Sequence, residues 1–205
     1  MHNQKSHWEN IYKTKSEKGV SWYKPRFEKS LEIISSLGLP KDAEIMDVGG
    51  GASTLPDDLL GMGFKNITVL DISGEALNVS KHRMGDNANS IRWLEADITT
   101  VKLKPNHYDL WHDRALFHFL TKPEDRLKYI NSLSTSLKTV GHVLMATFGP
   151  QGPLKCSGLE ILRYSADSLQ KELGRHFRLE QHFTEIHRTS FDTTQEFLYS
   201  LFRKS

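Results

Sequence analysis

A triglycine turn between two apolar segments constrains the fold of this chain more than any other feature. Residues 44–48, which are mostly apolar, are followed by the three glycines 49–51, then by Ser53, Thr54 and further leucines. This order is typical of a buried strand, a tight turn and the start of a helix. Glycine has no Cβ and allows positive φ, so a ligand above such a turn can touch the main chain. The sequence therefore predicts an α/β core with a small-ligand site at this turn.

The charges around the turn indicate which cofactor fits. A dinucleotide site has the pattern Gly-x-Gly-x-x-Gly and holds pyrophosphate at the helix N-terminus, but Thr54 stands where the third glycine belongs. The helix also begins with Asp57 and Asp58, which would repel a phosphate. S-adenosylmethionine carries a sulfonium, an ammonium and one carboxylate, so it is compatible with the acidic Asp47 beside the turn. A nicotinamide-dependent oxidoreductase is the less favoured alternative.

The segment from Ile45 to Ser53 resembles the first motif of the class I S-adenosylmethionine-dependent methyltransferases, an acidic residue followed by Gly-x-Gly-x-Gly. Ser53 replaces the last glycine and can cap the next helix. The resemblance covers about residues 44–148 by motif. It implies a Rossmann-like α/β fold with a seven-stranded, mostly parallel sheet of order 3-2-1-4-5-7-6, an antiparallel C-terminal hairpin and helices on both faces. The residues of the turn that it assigns to the cofactor are Asp47, Gly49, Gly50 and Gly51.

Two further acids end predicted strands. Asp71 lies 20 residues after Gly51, the spacing at which a carboxylate accepts hydrogen bonds from both ribose hydroxyls. By the resemblance, Asp97 accepts a hydrogen bond from the adenine amine, the backbone of Ile98 lies on the ring, and Ile72 covers its other face. The structural alternatives are a helix-capping role for Asp71 and a plain loop position for Asp97.

The segment 107–120 contains the fourth predicted strand and the loop after it. Ligands of an open α/β sheet bind at the carboxyl ends of the strands, so this loop should flank the reactive methyl group. The resemblance implies that backbone near Asp113 holds the methionine moiety, with Arg114 on the substrate side. His118 is the best candidate for a general base by location, although methyl transfer depends more on positioning than on a base. A histidine packed between phenylalanines is the alternative.

The first 40 residues contain two predicted helices, one over residues 6–18 and one beginning near Pro25, with Trp22 and Tyr23 between them. In many methyltransferases of this class such a segment covers the cofactor as a lid. The aromatic pattern is similar to a branch that includes both small-molecule and protein-lysine methyltransferases. The resemblance therefore assigns Trp22 to the cofactor and Tyr23 to the substrate side. Simple packing of these aromatic residues on the sheet edge is the alternative.

The remaining segment, residues 149–205, begins with a long irregular loop. Long loops in compact domains are often functional, so Cys156 in this loop is a candidate for the acceptor side of the site. The favoured interpretation is that Cys156 is a small apolar side chain that only fills space in the interior. Two alternating runs, residues 178–190 and 193–202, predict the hairpin. Three polar residues of this hairpin are expected to face solvent or a loop: His182, His187 and Arg188.

Length and composition limit the remaining possibilities. The chain has 205 residues and a formal charge of +2, which predicts one domain without a nucleic-acid partner. A single cysteine excludes an internal disulfide and a cysteine-based zinc cluster, and no metal site is predicted. No apolar run approaches the ~20 residues of a membrane span, and the N-terminus lacks the apolar core of a signal peptide. A cytoplasmic location without membrane contact is expected.

The sequence thus predicts a single methyltransferase domain over residues 1–205. Its expected parts are a helical lid (1–40), a cofactor-binding core (41–148) and a C-terminal loop, helix and hairpin (149–205). The absence of an added recognition domain favours a small-molecule acceptor. The alternatives are a protein-lysine acceptor and a non-catalytic protein that binds S-adenosylmethionine.

Overall fold

A computed structural model describes residues 2–15, 19–189 and 191–205 of the chain. The predicted N-terminal helix and the predicted hairpin extend into residues 16–18 and Ser190, which lie outside this described part. The helices are α1 (His2–Thr14), α2 (Glu28–Ser36), α3 (Leu55–Gly61), α4 (Gly74–Met84), α5 (Pro123–Ser136) and α6 (Ala166–Leu173). The strands are β1 (Glu44–Val48), β2 (Asn66–Asp71), β3 (Ile91–Glu95), β4 (Tyr108–Arg114), β5 (Leu137–Phe148), β6 (Lys155–Cys156), β7 (Leu159–Glu160), β8 (Phe177–Arg188) and β9 (Thr194–Lys204).

Seven strands form one sheet in the order β3-β2-β1-β4-β5-β9-β8. Strands β1 to β5 are parallel, and β9 lies antiparallel between β5 and β8. Strands β6 and β7 form a separate pair. When the seven strands of the main sheet are numbered along the chain without them, the order is 3-2-1-4-5-7-6, which confirms the predicted fold. The order reverses between β1 and β4, and ligands of such sheets bind in the crevice outside the carboxyl ends of the strands at that point.

Helices cover both faces of the sheet and bury two apolar layers. Alternate residues of β1 point to opposite faces: Ile45 packs with side chains of α2, α3 and α4, whereas Met46 packs with those of α5 and α6. The central strands are therefore buried on both sides, as their continuous apolar sequences indicate. This rigid core fixes the strand ends from which the polar residues project.

Two features of the C-terminal half differ from the sequence-based expectation. The pattern predicts that α5 continues to Gly141, but Leu137 already begins β5 and its side chain is fully buried. Gly141 instead lies inside β5, where a Cβ would come within 2.9 Å of the Lys138 carbonyl oxygen. Two short strands, β6 and β7, also pair within the loop that was expected to be irregular.

His187 faces a loop rather than solvent, which is the second of the two alternatives that the sequence predicts. Its side chain is buried, and Nε2 donates a hydrogen bond to the carbonyl oxygen of Ser21 at 2.8 Å. The hairpin therefore packs against the N-terminal segment, and burial lowers the pKa of His187. His182 and Arg188 are exposed, as expected. Within the part of the chain that the structure describes, no helix is long and apolar enough to span a bilayer.

Candidate functional site

A cavity of about 800 Å³, its open mouth included, lies at the carboxyl ends of the central strands. Most of the predicted site residues meet here, although they come from six different segments of the chain. Those that line this first cavity are Trp22, Gly49, Asp71, Ile72, Asp97, Ile98, Arg114 and Cys156.

The triglycine turn is held tightly against its neighbours. Gly49 has φ near +70°, which favours glycine, and its N–H donates to the Leu70 carbonyl oxygen at 2.7 Å. A Cβ at Gly49 would lie 2.6 Å from Leu116, and one at Gly51 would lie 2.7 Å from Oδ2 of Asp71. At Gly50 it would collide with the Asp47 carboxylate. Side chains at Gly50 and Gly51 would therefore displace the acids that the turn brings together, and one at Gly49 would displace Leu116.

Asp71 lies at the end of β2 and is 8% exposed. Its Oδ1 accepts a hydrogen bond from the backbone N–H of Ser73 at 2.8 Å. Burial raises the pKa of this carboxyl to about 7, while hydrogen bonds from the backbone of Ser73 and Gly51 oppose the rise. Ser73 is the cap of α4, since its hydroxyl accepts from Ala76 N–H at 3.1 Å. Asp71 is thus available to a ligand rather than required as the helix cap.

Asp97 follows β3, on the same edge of the sheet. Its Oδ1 accepts hydrogen bonds from the backbone N–H and the hydroxyl of Thr99, at 2.8 and 2.7 Å. These contacts fix the carboxylate in a tight turn while the residue lines the first cavity. Because β2 and β3 are adjacent parallel strands, Asp71 and Asp97 face the same end of this cavity.

A second cavity, of about 480 Å³, adjoins the first above the triglycine turn. The two share Tyr12, Trp22, Gly49 and Arg114. The remaining residues that line the second cavity include Tyr23, Lys24, Phe27, Asp47, Gly50, Ala52, Ser53 and His112. The predicted substrate-side residue Tyr23 therefore lies beside the glycine turn, with Asp47.

A buried chain of polar side chains that the sequence did not indicate supports Asp47. Nδ1 of His112 lies 2.7 Å from Oδ1 of Asp47, and Nε2 lies 3.0 Å from the Ser30 hydroxyl. The other oxygen, Oδ2, is buried and has no hydrogen-bond partner among the described residues. The register of β1 and β4 pairs Asp47 with His112, so this contact can be found once these strands are known to be neighbours.

Helix α1 and Trp22 cover the first cavity. Trp8 packs edge-on against Trp22 and Phe119, with ring centroids 5.7 and 5.0 Å apart. Trp22 Nε1 donates to the Tyr12 hydroxyl at 3.3 Å. Glu9 fastens the helix to the core, because its carboxylate accepts from the first N–H of α4 at 2.8 Å. The aromatic residues of the N-terminal segment therefore lie over the cavity, and Gln4 also lines it.

Hydrogen bonds to Asp113 hold the loop after β4 in place. Its buried carboxylate accepts hydrogen bonds from the N–H groups of Leu116 and Phe117 and, at 2.6 Å, from the Tyr129 hydroxyl. Burial raises the pKa of Asp113 to about 6. The side chain lines neither cavity, so it shapes the loop. The contact predicted for the backbone near Asp113 stays a prediction.

His118 has the geometry of a structural histidine. It is fully buried, its Nδ1 accepts the N–H of Phe148 at 3.1 Å, and its ring packs on Phe148 and Phe119. Burial, followed by the charge of Arg114, lowers its pKa to about 3. His118 does not line either cavity. Its role as a general base stays a prediction that this geometry does not support.

Cys156 is buried and borders the first cavity. Burial raises the pKa of its thiol to about 11, despite a hydrogen bond with Ser21 and the charge of Arg114. A thiol with this pKa stays protonated at neutral pH and is a poor nucleophile. Cys156 can therefore contribute shape to the cavity but little reactivity.

Residues 45–141 match a family model described as "Methyltransferase domain". This range holds the triglycine turn, both strand-terminal acids and the loop after β4. The chain contains a class I S-adenosylmethionine-dependent methyltransferase domain. The match begins in β1 and ends within β5, so it includes neither the N-terminal helices nor the C-terminal hairpin.

Among similar proteins, the mouse (Mus musculus) "eEF1A lysine and N-terminal methyltransferase" is 23% identical over 184 residues, which cover 90% of this chain and 25% of that protein. The human (Homo sapiens) "EEF1A lysine methyltransferase 2" is 22% identical over 157 residues, 70% of this chain and 66% of that protein. The chain thus spans a quarter of the length of the first relative and about two thirds of the second.

Similar solved structures include the Burkholderia thailandensis 1,6-didemethyltoxoflavin-N1-methyltransferase, which holds its substrate and S-adenosylhomocysteine. It is 15% identical, covers 100% of this chain and 85% of its own, and aligns with a TM-score of 0.67. At this identity the likeness shows a shared methyltransferase fold.

The residues of the methyltransferase site fit S-adenosylmethionine. The buried, unpartnered Oδ2 of Asp47 is suited to an ammonium group, since a buried carboxylate without a partner is costly. Asp71 can accept hydrogen bonds from a diol. The glycine turn between them presents main chain without Cβ atoms. Among the described residues, no group of three or more His, Cys, Asp or Glu side chains is arranged to hold a metal ion.

Proposed function

We propose that this methyltransferase transfers the methyl group of S-adenosylmethionine to a small molecule that enters the covered cavity. The observation that supports this most is that Asp71, Asp97 and Gly49 line one cavity beneath α1 and Trp22. A cover of this kind admits a compact acceptor and limits the access of water. The predicted cytoplasmic location and the division of the chain into lid, core and C-terminal parts remain proposals.

The proposed cofactor contacts follow the order of the strands. Asp71 accepts hydrogen bonds from the ribose hydroxyls, and Asp97 accepts one from the adenine amine. Ile72 and Ile98, which both line the cavity, pack on the two faces of the adenine ring. This arrangement places the adenosine over β2 and β3.

The methionine end of the cofactor then lies over β1 and β4. In this arrangement Oδ2 of Asp47 accepts a hydrogen bond from the ammonium group of the cofactor. The backbone of the glycine turn contacts the methionine part of the cofactor. Trp22 covers the cofactor between the two cavities that it lines. The support for this part is the unpartnered carboxylate oxygen of Asp47.

The proposed chemistry needs orientation more than acid–base catalysis. Bound S-adenosylmethionine supplies an electrophilic methyl group on its sulfonium. A lone pair of the acceptor forms the new bond to that carbon, the C–S electron pair stays on sulfur, and the acceptor proton leaves to water. Holding the acceptor in line is worth up to ~7–11 kcal/mol in favourable cases. His118 is too buried to take the proton, so acceptors that are neutral amines or thiolates fit best.

A protein-lysine acceptor is the second candidate, because two of the relatives are named as eEF1A lysine methyltransferases. Two observations favour the small molecule. A lysine side chain would have to pass the aromatic contacts of Trp8 with Trp22 and Phe119. Its ammonium would also approach the guanidinium of Arg114, which lines both cavities.

Thermal unfolding with four ligands tests the cofactor first. S-adenosylmethionine and S-adenosylhomocysteine at 100 times Kd should each add about 2.7 kcal/mol to the free energy of unfolding, and NAD and NADP should add nothing. Stabilisation by NAD alone would contradict the assignment.

Transfer of radiolabelled methyl groups then tests the acceptor. Incubation with a dialysed cell extract and with its dialysable fraction should label the dialysable fraction. Label in the protein fraction would favour the lysine acceptor. Binding of S-adenosylmethionine without any transfer would favour a non-catalytic binding protein.

A further inference from the structure

Arg114 occupies the junction between the two cavities. It is the last residue of β4, and its side chain lines both cavities. The guanidinium lies between two buried aromatic rings, 4.8 Å from the Phe27 centroid and 4.3 Å from that of Phe197. Stacking on aromatic faces holds a guanidinium plane in a fixed orientation. Arg114 is therefore a positioned charge rather than a mobile one.

Two of its three nitrogen atoms hold Arg114 in place. Nε donates to the Tyr199 hydroxyl at 3.3 Å, and Nη1 donates to the carbonyl oxygen of Trp22 at 3.2 Å. Nη2 is buried and has no hydrogen-bond partner among the described residues. Both existing partners are neutral, so the contacts that orient Arg114 do not neutralise it.

The described part of the chain supplies no counterion to Arg114. No carboxylate there forms a salt bridge with its guanidinium, and Glu185 of β8 is instead paired with Lys24 at 2.6 Å. Arginine stays protonated in proteins, and a largely desolvated charge without a partner is costly. An anion that reaches Nη2 would form a charge-assisted hydrogen bond, which is about twice as strong as a neutral one.

We propose that Arg114 binds an anionic oxygen group, a carboxylate or a similar oxyanion, on the methyl acceptor. This inference rests on the proposed function. With adenosine over β2 and β3, the sheet order β3-β2-β1-β4-β5 places Arg114 two strands beyond Asp71, about 10 Å at the usual strand spacing. That is the end of the site away from the adenosine, where the acceptor has to approach. The lining of Trp22, Phe27 and Phe119 suits an apolar body, so the acceptor class is an apolar or aromatic acid.

Matched acids and amides test this on the protein loaded with S-adenosylhomocysteine. Calorimetry would compare benzoate with benzamide, and phenylacetate with phenylacetamide. The wild-type protein should bind each acid at least about tenfold more tightly than its amide, equivalent to 1.4 kcal/mol. Arg114→Met should remove this preference. Arg114→Lys should retain only part of it, because lysine lacks the planar guanidinium group that can donate two parallel hydrogen bonds to a carboxylate. Equal binding of acids and amides by the wild-type protein would overturn the proposal. This comparison uses only the wild-type protein, so it does not depend on whether the variants fold.

The carboxylate of the cofactor itself is the other possible partner of Arg114. A second binding experiment distinguishes it from an anionic group on the acceptor. S-adenosylhomocysteine carries this carboxylate, whereas 5′-methylthioadenosine lacks the amino-acid end. Arg114→Met should leave the affinity for both ligands unchanged within about threefold, less than 0.7 kcal/mol. A tenfold loss confined to S-adenosylhomocysteine would overturn the proposal in favour of a cofactor contact. Failure of the wild-type protein to bind S-adenosylhomocysteine would instead refute the proposed function.

Discussion

Nδ1 of His112 lies 2.7 Å from Oδ1 of Asp47, and both side chains are only 2% exposed. With Nδ1 donating to the carboxylate, Nε2 is left to accept from the hydroxyl of Ser30 on α2. The first strand of the cofactor site is therefore linked through β4 to the N-terminal segment. Asp47 also lines the second cavity, and its other carboxylate oxygen, Oδ2, has no hydrogen-bond partner among the described residues.

His112→Leu should weaken both the fold and cofactor binding, because it leaves the buried Asp47 carboxylate without its partner. The expected loss of unfolding free energy is about 1–3 kcal/mol, with at least a tenfold loss of S-adenosylhomocysteine affinity. Urea unfolding and calorimetry would measure the two effects. Ser30→Ala is the matched control, since it removes only the outer contact and should cost less than about 1 kcal/mol. Unchanged affinity in His112→Leu would show that Asp47 does not contact the cofactor.

Gly50→Ala should disrupt the turn, because its Cβ would collide with the Asp47 carboxylate and lie 2.9 Å from Val69. Overpacking of this kind costs about 1–3 kcal/mol. Binding of S-adenosylhomocysteine should fall about tenfold or more, as calorimetry would show. Gly61→Ala, at the end of α3, is the matched control because nothing lies within 4 Å of its added Cβ. This control should bind normally and be stabilised slightly, by up to about 1 kcal/mol. Equal binding by the two variants would contradict the proposed role of the turn.

Cofactor affinity should depend on pH through Asp71. Burial raises its pKa to about 7 in the free protein, and ribose hydroxyls donate to the ionised form. The association constant for S-adenosylhomocysteine should therefore be roughly tenfold higher at about pH 8 than at about pH 6, since the neutral carboxyl dominates at the lower pH. Asp71→Asn should bind more weakly and without this pH dependence. Calorimetry across this range tests the prediction, and a flat profile for the wild-type protein would refute it.

His118 should affect acid stability rather than turnover. Its pKa of about 3 in the folded protein lies below the usual histidine value, so the unfolded chain takes up a proton that the folded protein does not. The contribution of this residue is therefore present above about pH 6.5 and is lost as the pH falls toward 3. Urea unfolding of the wild-type protein and His118→Phe should show a smaller acid destabilisation in the variant.

The same variant tests whether His118 is a general base. His118→Phe should lose about 1–3 kcal/mol at neutral pH, because the N–H of Phe148 is left without its acceptor. Its rate of methyl transfer, once an acceptor is found, should stay within about threefold of the wild type. A loss of about 10²–10⁴-fold would show that His118 acts in proton transfer.

The sequence predicted the sheet and the two acids because these features are local or follow from one rule. A strand that ends in an acid is visible in the chain, and parallel strands bring their ends to one edge. The environments of the histidines depend on distant residues instead. His118 is paired with the backbone of Phe148, and His187 with that of Ser21, 166 positions away. Spacing alone therefore does not distinguish a buried histidine from one that faces a ligand.

Arg114 illustrates the same limit within the site. Its position at the end of β4 was expected, because the resemblance puts Arg114 on the substrate side of the site. Its sandwich between Phe27 and Phe197, and its contact with Tyr199, require the N-terminal segment and β9 to meet over the sheet. These contacts come from opposite ends of the chain, so they were visible only in the folded structure.

The proposed cofactor site can be examined in a crystal structure of the protein with S-adenosylhomocysteine. Both ribose hydroxyls should lie within hydrogen-bond distance of the Asp71 carboxylate, and the adenine amine should contact Asp97. Adenosine bound elsewhere, with neither aspartate in contact, would contradict the proposed site.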